Sequence, residues 1–357
     1  MKKMIAFILT ACMVLSLAAC GGESKVQTKP ADESNTDSKT ETETPVATEA
    51  TYKLGMGVVL NTERSEAEKA QVDATVAAVV LDDAGKIVQC RIDAVQNKMD
   101  VAGGAVDTAK EFKTKMELGD DYGMVAFGNS IAEWDAQAQA FEAYVVGMTG
   151  ADVQAIETKT NDHGYNVPVD ETLAAGCTID ITEFVGAVVK ACGDEKGQSF
   201  TTADAFTLGV AAISESEEST AATATEDGAV KMYSEFAATV VGADGKILSA
   251  VTDATQPVIK VNAAGEITEA TFKGTKRELG DAYGMVAFGN AIAEWDAQAQ
   301  AFADFTIGKT AAEVEAIETT TNDHGYSVPA DETLYASCTM QVTGMMAVIA
   351  RAANYAR

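Results

Sequence analysis

The chain has 357 residues and a formal net charge of −28, from 54 acidic against 26 basic side chains. So acidic a surface repels phosphate, which argues against nucleic-acid binding and against lying flat on anionic lipid. Cationic ligands and divalent ions remain compatible with it.

The N-terminus reads as an export signal. Lys2 and Lys3 precede an apolar run from Met4 to Leu17, shorter than the roughly 20 residues a spanning helix needs. It ends on Leu17-Ala18-Ala19-Cys20, which resembles the lipobox of bacterial lipoproteins. That resemblance implies removal of residues 1–19, a diacylglyceryl group on Cys20 and a membrane-anchored protein on the extracytoplasmic side. Two acyl chains anchor stably where one binds marginally. Residues 20–51 are rich in Thr, Glu, Ser and Lys with few large apolar side chains, so they read as a tether with a mean reach of roughly 30 Å.

Beyond the tether the chain is a tandem duplication. "ELGDDYGMVAFGNSIAEWDAQAQAF" from Glu117 returns as "ELGDAYGMVAFGNAIAEWDAQAQAF" from Glu278, and "NDHGY" recurs at Asn161 and Asn322. The expected units are 52–192 and 205–357, joined by a linker at 193–204, each long enough to bury a core of its own. Each opens with two β-branched runs around a short turn, "DDAGKI" or "GADGKI", the pattern of an antiparallel hairpin. Asn129 and Asn290 are expected N-caps of a helix carrying Ile131, Trp134, Ala138 and Phe141 on one face. A second helix is expected from Thr149 and from Thr310, where Thr310 and Glu313 form a capping box. A polar loop, a strand at Cys177 or Cys338 and a final apolar helix complete the unit. The order gives an α+β fold, two tandem antiparallel-sheet domains with helices packed on them.

"AGCTIDITEFVGAVVKA" from Ala175 resembles the end of the FMN-binding domain of flavin-carrying Rnf and Nqr subunits and of some surface lipoproteins. "YKLGMG" from Tyr52 and the hairpin with "GKI" resemble that domain's start. The resemblance implies FMN as a cofactor and makes Thr178 and Thr339 the equivalents of the flavin-carrying Thr. Ala175 and Ala336 stand where the family has Ser, and Thr172 and Thr333 where it has Asp. Noncovalent flavin is therefore the expected mode, ahead of covalent attachment.

The candidate ligand contacts lie in the loop before the Trp helix: Gly119, Asp120, Tyr122 and Gly123, with Gly280, Asp281, Tyr283 and Gly284. Glycines let backbone approach a ligand and the tyrosines offer rings for stacking. His163 and His324 sit in a turn sequence, with too few neighbouring ligands for a metal site and no paired nucleophile. Glu133 and Asp135, two apart on a helix, face different ways and read as a solvated face. Without CxxC pairs, Cys90, Cys177, Cys192 and Cys338 read as free thiols. The expectation is a membrane-anchored protein that binds a small ligand of flavin or quinone class, in electron transfer, and is not an enzyme on its own. The alternative is a cofactor-free cell-surface protein that captures a solute or an envelope protein.

Overall fold

The computed structural model describes residues 48–357. The signal sequence, Cys20 and nearly all of the tether lie outside the described residues. The first repeat runs β1 (Ala50–Asn61), β2 (Lys69–Leu81), β3 (Ile87–Asp100), α1 (Lys115–Leu118), α2 (Met124–Gly128), α3 (Trp134–Tyr144), α4 (Gly150–Gln154), β4 (Thr158–Thr160), β5 (Asn166–Pro168), α5 (Glu171–Ala174) and α6 (Thr182–Cys192). Strand β6 (Gln198–Thr202) follows. The second repeat has β7 (Phe206–Glu215), β8 (Gly228–Val230), β9 (Tyr233–Gly242), β10 (Ile247–Thr255), β11 (Val258–Val261) and β12 (Ile267–Thr271). It continues through α7 (Lys276–Leu279), α8 (Met285–Gly289), α9 (Trp295–Phe305), α10 (Ala311–Glu315), β13 (Thr319–Thr321), β14 (Ser327–Pro329), α11 (Glu332–Tyr335) and α12 (Thr343–Asn354). This is the α+β class, with antiparallel sheets and helices.

The two principal sheets have the strand orders β3-β2-β1-β6 and β10-β9-β7. Alternation along each strand splits its side chains between two surfaces. On one side Leu54, Met56, Val58, Val76 and Ala78 pack with Leu208, Val210, Phe236, Ala238 and Val240 of the second repeat. On the other, Ala77, Val79 and Ile92 pack under Trp134, Phe141, Phe184 and Val188 of α3 and α6. Ala211, Ala237 and Ala250 do the same under Trp295, Phe302 and Val348 of α9 and α12. The order of layers is helices, sheet, sheet, helices, and the inner faces of the sheets are buried against each other. Each repeat owns only its helix-side core. Gly55 and Gly209 permit the approach of α6 and α12, because a Cβ at either would collide with the Ala191 or Ala352 carbonyl.

Three local expectations are corrected. The segment 193–204 is not a free linker, since β6 pairs with β1 at Tyr52↔Phe200. Phe200 stacks on Tyr52 and meets Phe206 edge-on, so apolar burial draws the junction into the sheet. The Trp helix begins after Glu133, not after Asn129. Asn129 and Asn290 have φ of 51° and end the short helices α2 and α8 in the left-handed conformation that Asn tolerates, which leaves Ile131 off the helix and exposed. No strand forms at Cys177 or Cys338, because the Thr178 and Thr339 N–H groups are taken by the side chains of Gln137 and Gln298.

Other expectations are found. Thr149 forms a capping box with Asp152 and Thr310 with Glu313. The last helices lie at α6 and α12, and Cys90, Cys177, Cys192 and Cys338 are free. The junction between repeats is tied by charge. Arg277 Nη1 lies 2.8 Å from Asp194 Oδ2, both side chains being less than a tenth exposed. The final helices exchange ion pairs: Lys190 of α6 reaches Glu278 at 2.6 Å, and Arg351 of α12 reaches Glu117 at 2.8 Å. Glu117 and Glu278 are the acidic members of matching capping boxes with Thr114 and Thr275. No helix among the described residues is long and apolar enough to cross a membrane.

Candidate functional site

A cleft of about 1130 Å³ is lined mainly by the first repeat. Trp134 forms part of its wall, held edge-on against Phe184 at 5.5 Å between ring centroids. Tyr122 stands beside it, and Lys115 crosses both rings, its Nζ 5.0 Å from the Tyr122 centroid and 5.2 Å from the Trp134 centroid. Both distances are in cation–π range. Thr178 also lines the cleft, its hydroxyl donating to Gln137 Oε1 at 3.2 Å. Gln137 is wholly buried and fixed by donating to Ser130 Oγ and to the Ala132 carbonyl, each at 2.8 Å. The far side of the cleft comes from the second repeat, where Ala270 and Phe272 overhang it.

Of the wall carboxylates, Glu183 and Asp180 are occupied by their own chain, and Glu63 stands exposed at the rim. Glu183 Oε2 accepts from the Thr75 hydroxyl at 2.8 Å. Asp180 accepts from the N–H groups of Thr182 and Asn166 at 2.8 and 3.1 Å. Arg64 at the rim lies 3.7 Å from Asp73. Lys115 Nζ has neither a carboxylate nor a hydrogen-bond acceptor in range among the described residues.

The matching place in the second repeat is filled. Registers β1–β2 and β7–β9 set Asn61 opposite Asp73 and Glu215 opposite Tyr233, so Tyr233 occupies the position of Asp73. Its ring covers Lys276, the counterpart of Lys115, at 4.6 Å, while Tyr283 and Trp295 close the box at 4.9 and 5.3 Å. Lys276 donates to the Tyr233 hydroxyl at 3.3 Å, which donates to Glu235 Oε1 at 3.1 Å. Burial pushes Lys276 down to about 8 and Glu235 up to about 7, since desolvation penalises both charges. The carboxylate also changes its element of origin: Glu183 on α6 faces Thr75 in the first repeat, whereas Glu235 on β9 presses against Gly344 of α12 in the second. What remains beside this filled site is a smaller cavity of about 610 Å³, between residues 108–113, residues 214–217 and Arg351.

Of the loop residues expected to contact ligand, the cleft takes Tyr122 and leaves the others outside its lining. Gly119 and Gly280, the C-caps of α1 and α7, have positive φ of 47° and 48°, which favours glycine. Gly123 and Gly284 have φ of 79° and 83°, and a Cβ there would strike the ring of Phe127 or Phe288, so backbone geometry accounts for all four. Asp120 and Asp281 are exposed. Tyr283 sits in the Lys276 box, and Thr339 is held by Gln298 Oε1 as Thr178 is by Gln137. Glu133 is not simply solvated, because its carboxylate accepts from the Met124 and Val125 N–H groups at 2.7 and 2.9 Å and anchors α2. His163 and His324 lie exposed in the β4–β5 and β13–β14 turns. Among the described residues no group of His, Cys, Asp and Glu could hold a metal ion.

Sequence reasoning passed over Lys115, Thr75, Glu183 and Tyr233. A signal for the first was present, since Thr-Lys precedes the repeated loop at Thr114-Lys115 and again at Thr275-Lys276.

No family model matches the chain, and no solved structure matches it. It is similar to a chlorophenol reductase of Desulfitobacterium hafniense, 31% identical over 156 residues, which cover 38% of this chain and 48% of that protein. The match thus spans about half the length of the relative.

Proposed function

We propose that the chain is a membrane-anchored, extracytoplasmic lipoprotein whose first repeat binds a small planar ligand of flavin or quinone class, in the service of electron transfer. The observation that carries this reading is the convergence of Trp134, Tyr122, Lys115 and Thr178 on one cleft of about 1130 Å³. That is ample for a drug-sized ligand. Aromatic walls, one cation and a small number of fixed polar groups are the usual means of orienting a flat ring. The lipobox-like Leu17-Ala18-Ala19-Cys20 supports the anchoring. Similarity over half the length of a reductase acting, by its name, on chlorophenol agrees with an aromatic ligand and a redox setting.

FMN fits these residues. The Tyr122 ring would flank the isoalloxazine, the Thr178 hydroxyl stands at the cleft wall, and Arg64 at the rim would receive the phosphate. A bound flavin would supply one- and two-electron transfer. The chain's own part is to hold the ring, shield one face and set the charge beside it.

The test is the visible spectrum and intact mass of protein from its native host, followed by titration of purified protein with FMN. Absorbance near 450 nm or saturable quenching of tryptophan emission by FMN is expected, with no covalent mass increment. A colourless protein that binds neither FMN nor a quinone would sink the reading.

A further inference from the structure

Resting on that reading of the cleft, we infer that its ligand is a planar aromatic acid bearing its negative charge on or next to the ring, as in a phenolate, an aryl carboxylate or a hydroxyquinone, and that the chain binds one such molecule. The ground is the state of one side chain. In a chain with 54 acidic residues, cations in partly buried places normally end on a carboxylate, as Arg277 does on Asp194 and Arg351 on Glu117. Lys115 does not. Its ammonium is half-buried between the Tyr122 and Trp134 rings, while Glu183 and Asp180 in the same cleft are turned to donors of their own chain.

An ammonium held by two ring faces has lost part of its water and gained no counter-ion, so it attracts an anion arriving from the open side. It also lies 5.0 Å from the centroid of the Tyr122 ring, beside which a flat ligand would lie. The anionic oxygen must therefore be close to the ligand's ring, not at the end of a long arm. Tyr122, Met124 and Phe272 on the lining favour a ligand with an aromatic or apolar body.

The second repeat supplies the contrast. There Lys276 meets an oxygen on a ring, the hydroxyl of Tyr233, at 3.3 Å, with the phenol ring 4.6 Å from the ammonium. The chain's own phenol stands where the first repeat leaves room, because Asp73 replaces Tyr233 and its carboxylate is drawn to Gln71 and Arg64. With the counterpart in the second repeat filled, one site of this kind is left open among the described residues, hence one ligand per chain.

The experiment is calorimetric titration of the whole soluble chain at pH 7.5 with 2-hydroxy-1,4-naphthoquinone, which is an anion there, and with its neutral isostere 2-methoxy-1,4-naphthoquinone. The anion is expected to bind at one per chain and on the order of ten- to a hundredfold more tightly, the worth of one charge-assisted hydrogen bond. Lys115→Met should abolish that preference while leaving weak binding of both, and Lys115→Arg should restore it. Asp73→Tyr, which transplants the second repeat's plug, should block both compounds. Equal affinities, or a preference that survives Lys115→Met, would overturn the inference while leaving the cleft as a ring-binding site. Binding of neither compound overturns it as well, and if FMN also fails to bind, the reading beneath it falls too. Two molecules per chain would overturn the stoichiometry.

Discussion

Lys115 and Lys276 begin from the same sequence, one residue after the capping Thr and just ahead of a nearly identical 25-residue stretch, yet they end in different surroundings. Lys115 faces an open cleft; Lys276 is 8% exposed and boxed by three rings. The residues that make the difference lie outside the repeated stretch. Tyr233 stands for Asp73 on the second strand of the hairpin, Glu235 for Thr75, and Arg277 for Met116 just after the lysine. A site can thus be opened or closed from its neighbours while its central segment stays unchanged. Near identity between copies follows the demands of the backbone, with its paired positive-φ glycines and asparagine, and does not by itself mark an open site.

The two repeats depend on each other most strongly in the shared core. Phe236 is fully buried between the sheets, and Phe236→Ala should cost about 3–5 kcal/mol. Because each sheet's inner face is buried only by the other, urea unfolding monitored separately by Trp134 and Trp295, in Trp295→Phe and Trp134→Phe backgrounds, should move to lower denaturant together. Two separated transitions would mean that the repeats are independent folding units.

A pH series sharpens the contrast between matching aspartates. Burial pushes the Asp93 carboxyl up to about 7 and that of Asp253 up to about 6. Arg277 beside Asp253 opposes its rise, whereas Met116 holds that place in the first repeat and Asp93 Oδ2 is left without a partner. An unfolded Asp titrates near 3.9, that is at about pH 4, so between there and the folded value the native state holds the extra proton. Stability from Asp93 is therefore present at low pH, is lost as pH rises from about 4 to about 7, and is flat above. For Asp253 the loss ends near pH 6. The slope within each window reaches about 1.4 kcal/mol per pH unit. In urea melts between pH 5 and 8, Asp93→Asn should flatten the dependence near pH 6.5, where Asp253→Asn has little effect. The Asn Oδ1 can still accept the Ala94 and Met116 N–H groups that Asp93 receives. An unchanged slope in Asp93→Asn would show that the group does not titrate in that window.

The smallest effect concerns the exchanged ion pairs. Lys190–Glu278 is nearly half exposed on both sides, whereas Arg351–Glu117 is more enclosed. Double-mutant cycles to Ala should give coupling of about 0–1 kcal/mol for each, with Arg351–Glu117 the larger and the less weakened by salt. A larger coupling for the lysine pair would reverse this ranking.

Much of the fold was legible along the chain. The duplication, the hairpins, the last helices, the helix start at Thr149, the capping box at Thr310 and the burial of Trp134 all follow from local pattern, because period, turn chemistry and caps act over a few residues. The cleft was legible in part: Tyr122 and Thr178 were picked out and do line it, while the glycines beside Tyr122 serve the backbone. Lys115, Thr75 and Glu183 gave no signal as a set, being scattered over more than 100 positions and made neighbours only by the packing of α6 on β2.

Local sequence thus carries the class of fold, the repeat and most of the secondary structure, since those depend on short-range hydrophobic period and hydrogen-bonding habit. Long-range packing alone makes the repeats share an inner face, draws 193–204 into a sheet through Phe200, and leaves one lysine facing open space while its twin is covered. Those outcomes depend on the volume of a side chain from one strand meeting a charge from a distant helix, a relation that no local window of sequence contains.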